Sequence, residues 1–275
     1  MISECLPDVA SESFRLAQTF CGACRDYHAT WSYVRAAGLR KGAMADLPFL
    51  KVGFERLAGS SVRVLIAGSA DTGQLAAVAE ALRGRHFSAT LVDLCETPLA
   101  LCRGFARRNG IAFSGYRRDI AAAAELGPFD AVLFHNFLSF LNPQQRIETL
   151  AALRRTLGAD GRLVIFQRVV AKGETGAGSA YGGAVAIAVI DRLRAFGIPL
   201  PEDEARFAMR ITAAADNAER ERRHLAFTSV ADLEGELRTA GFDDTKVVPL
   251  QTAGSTEERT SWRRSSQRYL LVARN

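Results

Sequence analysis

The 275-residue chain is 48% hydrophobic and 24% charged, which excludes a disordered or fibrous polypeptide and leaves length for one large core or a core with an appended cap. Its net charge of +5 is dispersed as pairs such as Arg117-Arg118, Arg154-Arg155, Arg222-Arg223 and Arg263-Arg264 among acids, so nucleic acid is not an expected partner. No uncharged run reaches the ~20 residues of a membrane span, Asp191 interrupts GGAVAIAVIDRL, and MISECLPDVASESF lacks the regions of a leader; a cytoplasmic location is expected.

The first segment, 1–58, reads as a helical lid. Phe14, Phe20, Cys24, Tyr27, Trp31 and Val34 recur at helical spacing over residues 12–38. On one such helix Cys21, Cys24 and His28 share a face and offer three metal ligands in FCGACRDYHATW. A closed zinc site takes four, a second Cys/His pair at regular spacing is absent, and Cys5 is a distant option. A thioredoxin-like centre starts a helix after a strand, whereas Cys21 is expected in mid-helix. Small cysteines packed in a helix interface account for the same pattern. The five cysteines, Cys5, Cys21, Cys24, Cys95 and Cys102, are odd in number and scattered, so free thiols are expected and no metal is assigned.

From residue 59 the pattern changes to strands alternating with helices: VRVLIAG (62–68), SATLVDL (88–94), IAFSGY (111–116), FDAVLFH (129–135) and GRLVIFQ (161–167). GQLAAVAEALRG, TPLALCRGFARRNG, IAAAAELG and NPQQRIETLAALRRTLG lie between them as helices, each with a glycine near its end. A parallel sheet covered on both faces follows. A helical insertion spans about 169–228, then SVADLEGELRTAGF forms a helix capped by Ser229, and TKVVPL with QRYLLVAR closes the sheet antiparallel. The domain division is thus 1–58 and 59–275.

The turn after the first strand, in VLIAGSADTGQLAAV, lies where open α/β sheets bind ligands. It lacks the middle glycine of a dinucleotide loop, having Ala70, and Gln74-Leu75 stand where a phosphate loop needs Lys and Ser/Thr. Asp71 at a helix N-terminus opposes phosphate and tolerates a cation, which favours an unphosphorylated, positively charged nucleoside. Asp93, ending the second strand, has the spacing of an acid that accepts from ribose hydroxyls; a cap for the following helix is the second reading.

VLIAGSADTG, LVDLCETPLALC, RRDI and FDAVLFHNFLSFL resemble, in order and spacing, the cofactor motifs of class I S-adenosylmethionine-dependent methyltransferases over about residues 60–168, and more loosely to the end of the chain. The resemblance implies an α/β fold, a Rossmann-like, mostly parallel seven-stranded sheet with an antiparallel last strand, and S-adenosyl-L-methionine as cofactor. It implies that Gly68, Ser69, Ala70 and Gly73 line the methionine portion, with Asp71 in the same loop. Asp93 would hold the ribose beside Leu94, Asp119 and Ile120 would flank the adenine, and His135 and Asn136 would face the sulfonium and the acceptor. Tyr27, His28 and Trp31 would roof the pocket. Ile66 and Ala70 depart from the family's usual acid and central glycine.

The implied activity is methyl transfer to an O, N or S atom of a small molecule, as in bacterial secondary metabolism. Transfer or cyclisation of another carbon of the donor and catalytically silent binding remain alternatives. An acceptor that must lose a proton calls for a base, for which His135 and His28 are the candidates, His86 and His224 reading as exposed. The insertion carries the acceptor pocket, with Tyr181 in KGETGAGSAYGG reaching inward. A homodimer is left open.

Overall fold

The computed structural model describes residues 4–40, 42–55, 57, 59–170, 181–250 and 266–275. Strand β1 (Ser61–Ala67) shows how the core is divided. Its alternate side chains Val62, Val64 and Ile66 enter one apolar cluster, while Leu65 and Ala67 enter another on the opposite face. Helices must therefore cover both faces. The same alternation continues in β4 (Phe129–His135) and β5 (Leu157–Val170).

With β2 (His86–Asp93), β3 (Ala112–Arg117), β6 (Thr245–Leu250) and β7 (Ser266–Arg274), the sheet has seven strands in the order β3-β2-β1-β4-β5-β7-β6. β1 to β5 pair in parallel, and β7 runs antiparallel to both β5 and β6. The order reverses at β1, which places a crevice between the carboxyl ends of β1 and β4.

Leu50, Phe54, Leu75, Val78, Leu99 and Phe105 cover one face, carried by α3 (Leu47–Phe54), α4 (Gly73–Ala81) and α5 (Glu96–Asn109). Leu150, Leu153, Leu233 and Leu237 cover the other from α6 (Pro143–Thr156) and α9 (Val230–Thr239). A full capping box, Asn142 with Gln145, starts α6, and Ser229 accepts from Asp232 N at 3.1 Å to start α9.

Two expected helices differ. Residues 120–126 form a 3₁₀ turn, whose buried Ile120 and Ala123 stand three apart, the period at which a 3₁₀ turn repeats a face. The N-terminal helix is broken into α1 (Leu6–Phe20) and α2 (Arg25–Ala36), with Cys21 extended at φ −96° and ψ 138° and Cys24 at the α2 N-cap. Cys21 and Cys24 are thus outside the helices, and Gly22, a poor helix former, lies in the break.

α1 and α2 pack through Ala10 and Tyr33 against Val189, Leu193, Phe207 and Ile211 of α7 (Tyr181–Ala195) and α8 (Glu204–Leu225), forming a helical cover with its own apolar cluster. The segment holding α7 and α8 leaves and rejoins the sheet at one place, where Val170 N donates to Phe227 O at 2.9 Å. No helix among the described residues is long and apolar enough to cross a membrane.

Candidate active site

At the carboxyl end of β1 the chain turns at Gly68, whose φ of +75° is left-handed; an added Cβ would stand 3.0 Å from the Phe137 ring and 3.6 Å from Ile120. This close approach joins the loop after β1, the turn after Asp119 and the residues following β4 into one wall.

Asp93 braces that wall. Its Oδ2 accepts from Ser69 N at 2.9 Å and its Oδ1 from Cys95 N at 2.7 Å, and each oxygen has a further lone pair for a ligand donor. Burial raises the Asp93 pKa, and the bonds from Ser69 and Cys95 only partly oppose that shift. Beside it Leu94 is 66% exposed, an apolar side chain open to a planar ring. Asp119 is exposed and caps the 3₁₀ turn through Ala121 N at 2.8 Å, while Ile120 is buried against Gly68.

Asp71 requires a correction. Expected to face a ligand cation, it is buried: Oδ2 receives Arg35 Nη1 at 2.6 Å and Ser32 Oγ at 3.3 Å, and Oδ1 receives Gly73 N at 2.9 Å. Arg35 also pairs with Glu4 at 2.9 Å. The cation opposite Asp71 is therefore the protein's own, because two charges buried together are far less costly than one alone. Gly73 likewise faces Arg35, whose guanidinium lies 3.0 Å from where its Cβ would be.

α2 lies over the loop. Tyr27 and Trp31 stack at 5.9 Å and are half-buried, a flat aromatic pair one turn long. His28, expected as a roof residue or base, is instead enclosed, 6% exposed, with Nδ1 3.3 Å from Ala70 O. Around it stand Cys21, Cys24 and Cys95. Burial works against a charged ring, yet hydrogen bonds with Cys24 and Cys95 outweigh it and push His28 up to about 10. Burial likewise opposes the Cys95 thiolate, but the His28 hydrogen bond prevails and brings that thiol down to about 6. His28 has no open face for an acceptor.

His135, ending β4, is differently placed. Its Nε2 lies 2.8 Å from Asp46 Oδ2, and Arg268 of β7 holds the same carboxylate. A carboxylate accepts only, so in the neutral ring Nε2 carries the hydrogen and the lone pair is on Nδ1, which lies at a weak 3.5 Å from the Asn136 amide nitrogen. Burial would raise Asp46, but the His135 and Arg268 bonds outweigh it and lower its pKa.

Asn136 follows in a left-handed conformation, φ +55°, one that asparagine tolerates better than most residues; its N donates to Phe166 O at 2.7 Å. Its Oδ1 is buried without a hydrogen-bond partner among the described residues, as is Gln74 Oε1 behind Gly68. Buried acceptors left open at a crevice fit a ligand with donor groups. The structure does not bring Tyr181 to this group: its ring packs on the α1, α2, α7 and α8 cluster and its hydroxyl accepts from Arg40 at 3.3 Å. Residues 172–180 of the glycine-rich stretch and the His224 side chain lie outside the described part, and His86 is exposed at the start of β2.

Asp46, Arg268, Arg35 and Cys95 escape sequence reading because each meets its partner across a long stretch of chain. Asp46 ends a 3₁₀ turn, Gly42–Asp46, that carries no motif.

No protein-family model and no curated protein matches the sequence. Solved structures do match in fold. An O-methyltransferase family protein from Burkholderia thailandensis aligns over 90% of this chain and 60% of its own, at 14% identity and TM-score 0.54. The S-adenosylmethionine-dependent methyltransferase SibL aligns over 98% and 69%, at 19% identity and TM-score 0.54. Magnesium protoporphyrin IX methyltransferase (ChlM) from Synechocystis PCC 6803, solved with bound S-adenosylhomocysteine, aligns over 93% and 89%, at 13% identity and TM-score 0.50. The chain spans about three fifths of the length of the Burkholderia protein. With its strand order and single reversed strand, the chain has the fold of the class I S-adenosylmethionine-dependent methyltransferases.

Proposed function

We propose that the chain is a methyltransferase that uses S-adenosyl-L-methionine to methylate an O, N or S atom of a small molecule. The observation that carries this reading is the Asp46–His135 pair at the carboxyl end of β4, next to an open Asn136 acceptor and across from Asp93 on the neighbouring part of the same edge. When bound, S-adenosylmethionine supplies a methyl group on a positively charged sulfur.

The chain's residues have three tasks. Asp93 accepts from the ribose hydroxyls with the lone pairs that Ser69 and Cys95 leave, Leu94 and Ile120 flank the adenine, and the Tyr27–Trp31 pair excludes water. Asn136 Oδ1 accepts from the donor's ammonium. An acceptor that displaces the weak 3.5 Å contact of Asn136 Nδ2 gives its proton to His135 Nδ1, and Asp46 keeps the ring in the required tautomer and balances the imidazolium that forms. The α7–α8 segment supports the acceptor pocket, and secondary metabolism supplies the class of substrate.

Calorimetric titration with S-adenosylhomocysteine tests the reading. Wild type should bind, and Asp93→Ala should weaken binding by about 1–3 kcal/mol through lost charge-assisted bonds. Mass spectrometry of turnover should show S-adenosylhomocysteine; methylthioadenosine would point to transfer of another carbon. A wild-type chain that binds no adenosyl compound overturns the proposal.

A further inference from the structure

The Cys21–Cys24 turn, the first turn of α2 and the end of β2 converge on one point. Cys21 Sγ lies 3.2 Å from Cys95 Sγ, Cys24 Sγ lies 3.7 Å from it, and one ligand atom from each of Cys21, Cys24, His28 and Cys95 falls within 4.8 Å of the other three. Sequence spacing offers three of these four; Cys95 comes from the far side of β1 and β2. We propose that Cys21, Cys24, His28 and Cys95 bind one zinc ion as a closed tetrahedral site that pins the N-terminal helices to the end of β2.

Zinc–thiolate bonds of ~2.3 Å at tetrahedral angles set sulfurs ~3.8 Å apart, a spacing the Cys24–Cys95 pair already has and the Cys21–Cys95 pair reaches by opening slightly. Three sulfurs and one imidazole, with no oxygen ligand, select a borderline-soft cation over magnesium or calcium. The surroundings are those of a structural site. Cys21, His28 and Cys95 are 5%, 6% and 8% exposed, and Ala17 and Ala29 pack around them, so no coordination position is left for water or substrate.

The second layer is also in place. His28 Nδ1–H donates to the Ala70 carbonyl, which makes the other ring nitrogen the one whose proton a metal would displace. Thr97 Oγ1 lies 3.1 Å from Cys21 Sγ, and the Cys95 backbone is fixed by Asp93. Arg25 donates to Cys21 O at 3.1 Å and brings a positive charge beside a site whose ligands outweigh the ion's charge by one. Metal binding displaces the ligand protons, so the thiolates and imidazole exchange shared protons for one cation.

The test counts metal under reducing conditions without any donor or acceptor, so it is independent of methyl transfer. Elemental analysis of the purified full chain should give one zinc per molecule. Cobalt titrated into the chelator-stripped protein should develop a thiolate-to-cobalt charge-transfer band that saturates at one equivalent. Cys24→Ser and Cys95→Ser should each weaken cobalt binding about tenfold or more, and Cys5→Ser, an exposed thiol, should leave stoichiometry and spectrum unchanged. Circular dichroism identifies any variant that fails to fold, and Cys24→Ser, half-buried at the start of α2, then carries the comparison. Folded, reduced wild type that binds neither ion, or cobalt binding insensitive to Cys24→Ser, or lost in Cys5→Ser, overturns the proposal.

Discussion

His28 and His135 are both held at the carboxyl edge of the sheet, yet their neighbours suit them to opposite proposed uses. His28 is enclosed by three thiols and tied to a backbone carbonyl; His135 is tied to a carboxylate through Nε2 and has only a weak 3.5 Å amide contact at Nδ1. A carboxylate partner makes a ring a proton acceptor with its charge balanced, whereas a sulfur cage makes it a ligand or a packing residue. Residue type alone, which made both histidines candidate bases, does not separate the roles.

The contrast can be broken most directly at His135. His135→Ala should lower kcat by about 10²- to 10⁴-fold while the affinity for S-adenosylhomocysteine stays near wild type. Unchanged turnover would remove the base from β4.

Asp46→Asn should lower kcat on the order of 10²-fold, because the amide can also stabilise the wrong tautomer. The folded Asp46 pKa lies below the ordinary carboxyl value of 3.8, so its stabilising contribution is fully present above about that pH and is lost as pH falls through the lower folded value. The melting midpoints of wild type and Asp46→Asn should therefore converge in acid. Midpoints that diverge there would contradict the Asp46–His135–Arg268 arrangement.

His28→Gln should cost about 1–3 kcal/mol of stability, visible as a lower melting midpoint, while the acid limb of the pH–rate profile keeps its wild-type position. A displaced limb would give the titrating role back to His28. The smallest effect is expected for Asn136→Gly, which keeps the left-handed turn without strain and removes the open acceptor. S-adenosylhomocysteine should bind about 0.5–1.5 kcal/mol more weakly, by calorimetry.

The central strands were legible because they are buried on both faces and so appear as short apolar runs; FDAVLFH matches β4 residue for residue, and TKVVPL matches the half-buried edge strand β6. The break at residues 21–24 was not, because Phe20, Cys24, Tyr27 and Trp31 keep a helical period straight through it. Asp71 has the right position in the loop for a ligand contact, and only the fold shows that Arg35, 36 residues earlier, occupies its carboxylate. Cys95 and Asp46 share that history: each acts on a partner brought near by the sheet rather than by sequence spacing.

Strand β7 lies between β5 and β6, so β6 has no neighbour in the sheet until a later stretch of chain arrives. Within the sheet β6 bonds only to β7, so its edge is unpaired in any state that lacks that strand. The same late strand delivers Arg268 to Asp46. A chain lacking that strand therefore lacks both the sheet neighbour of β6 and the cation opposite Asp46.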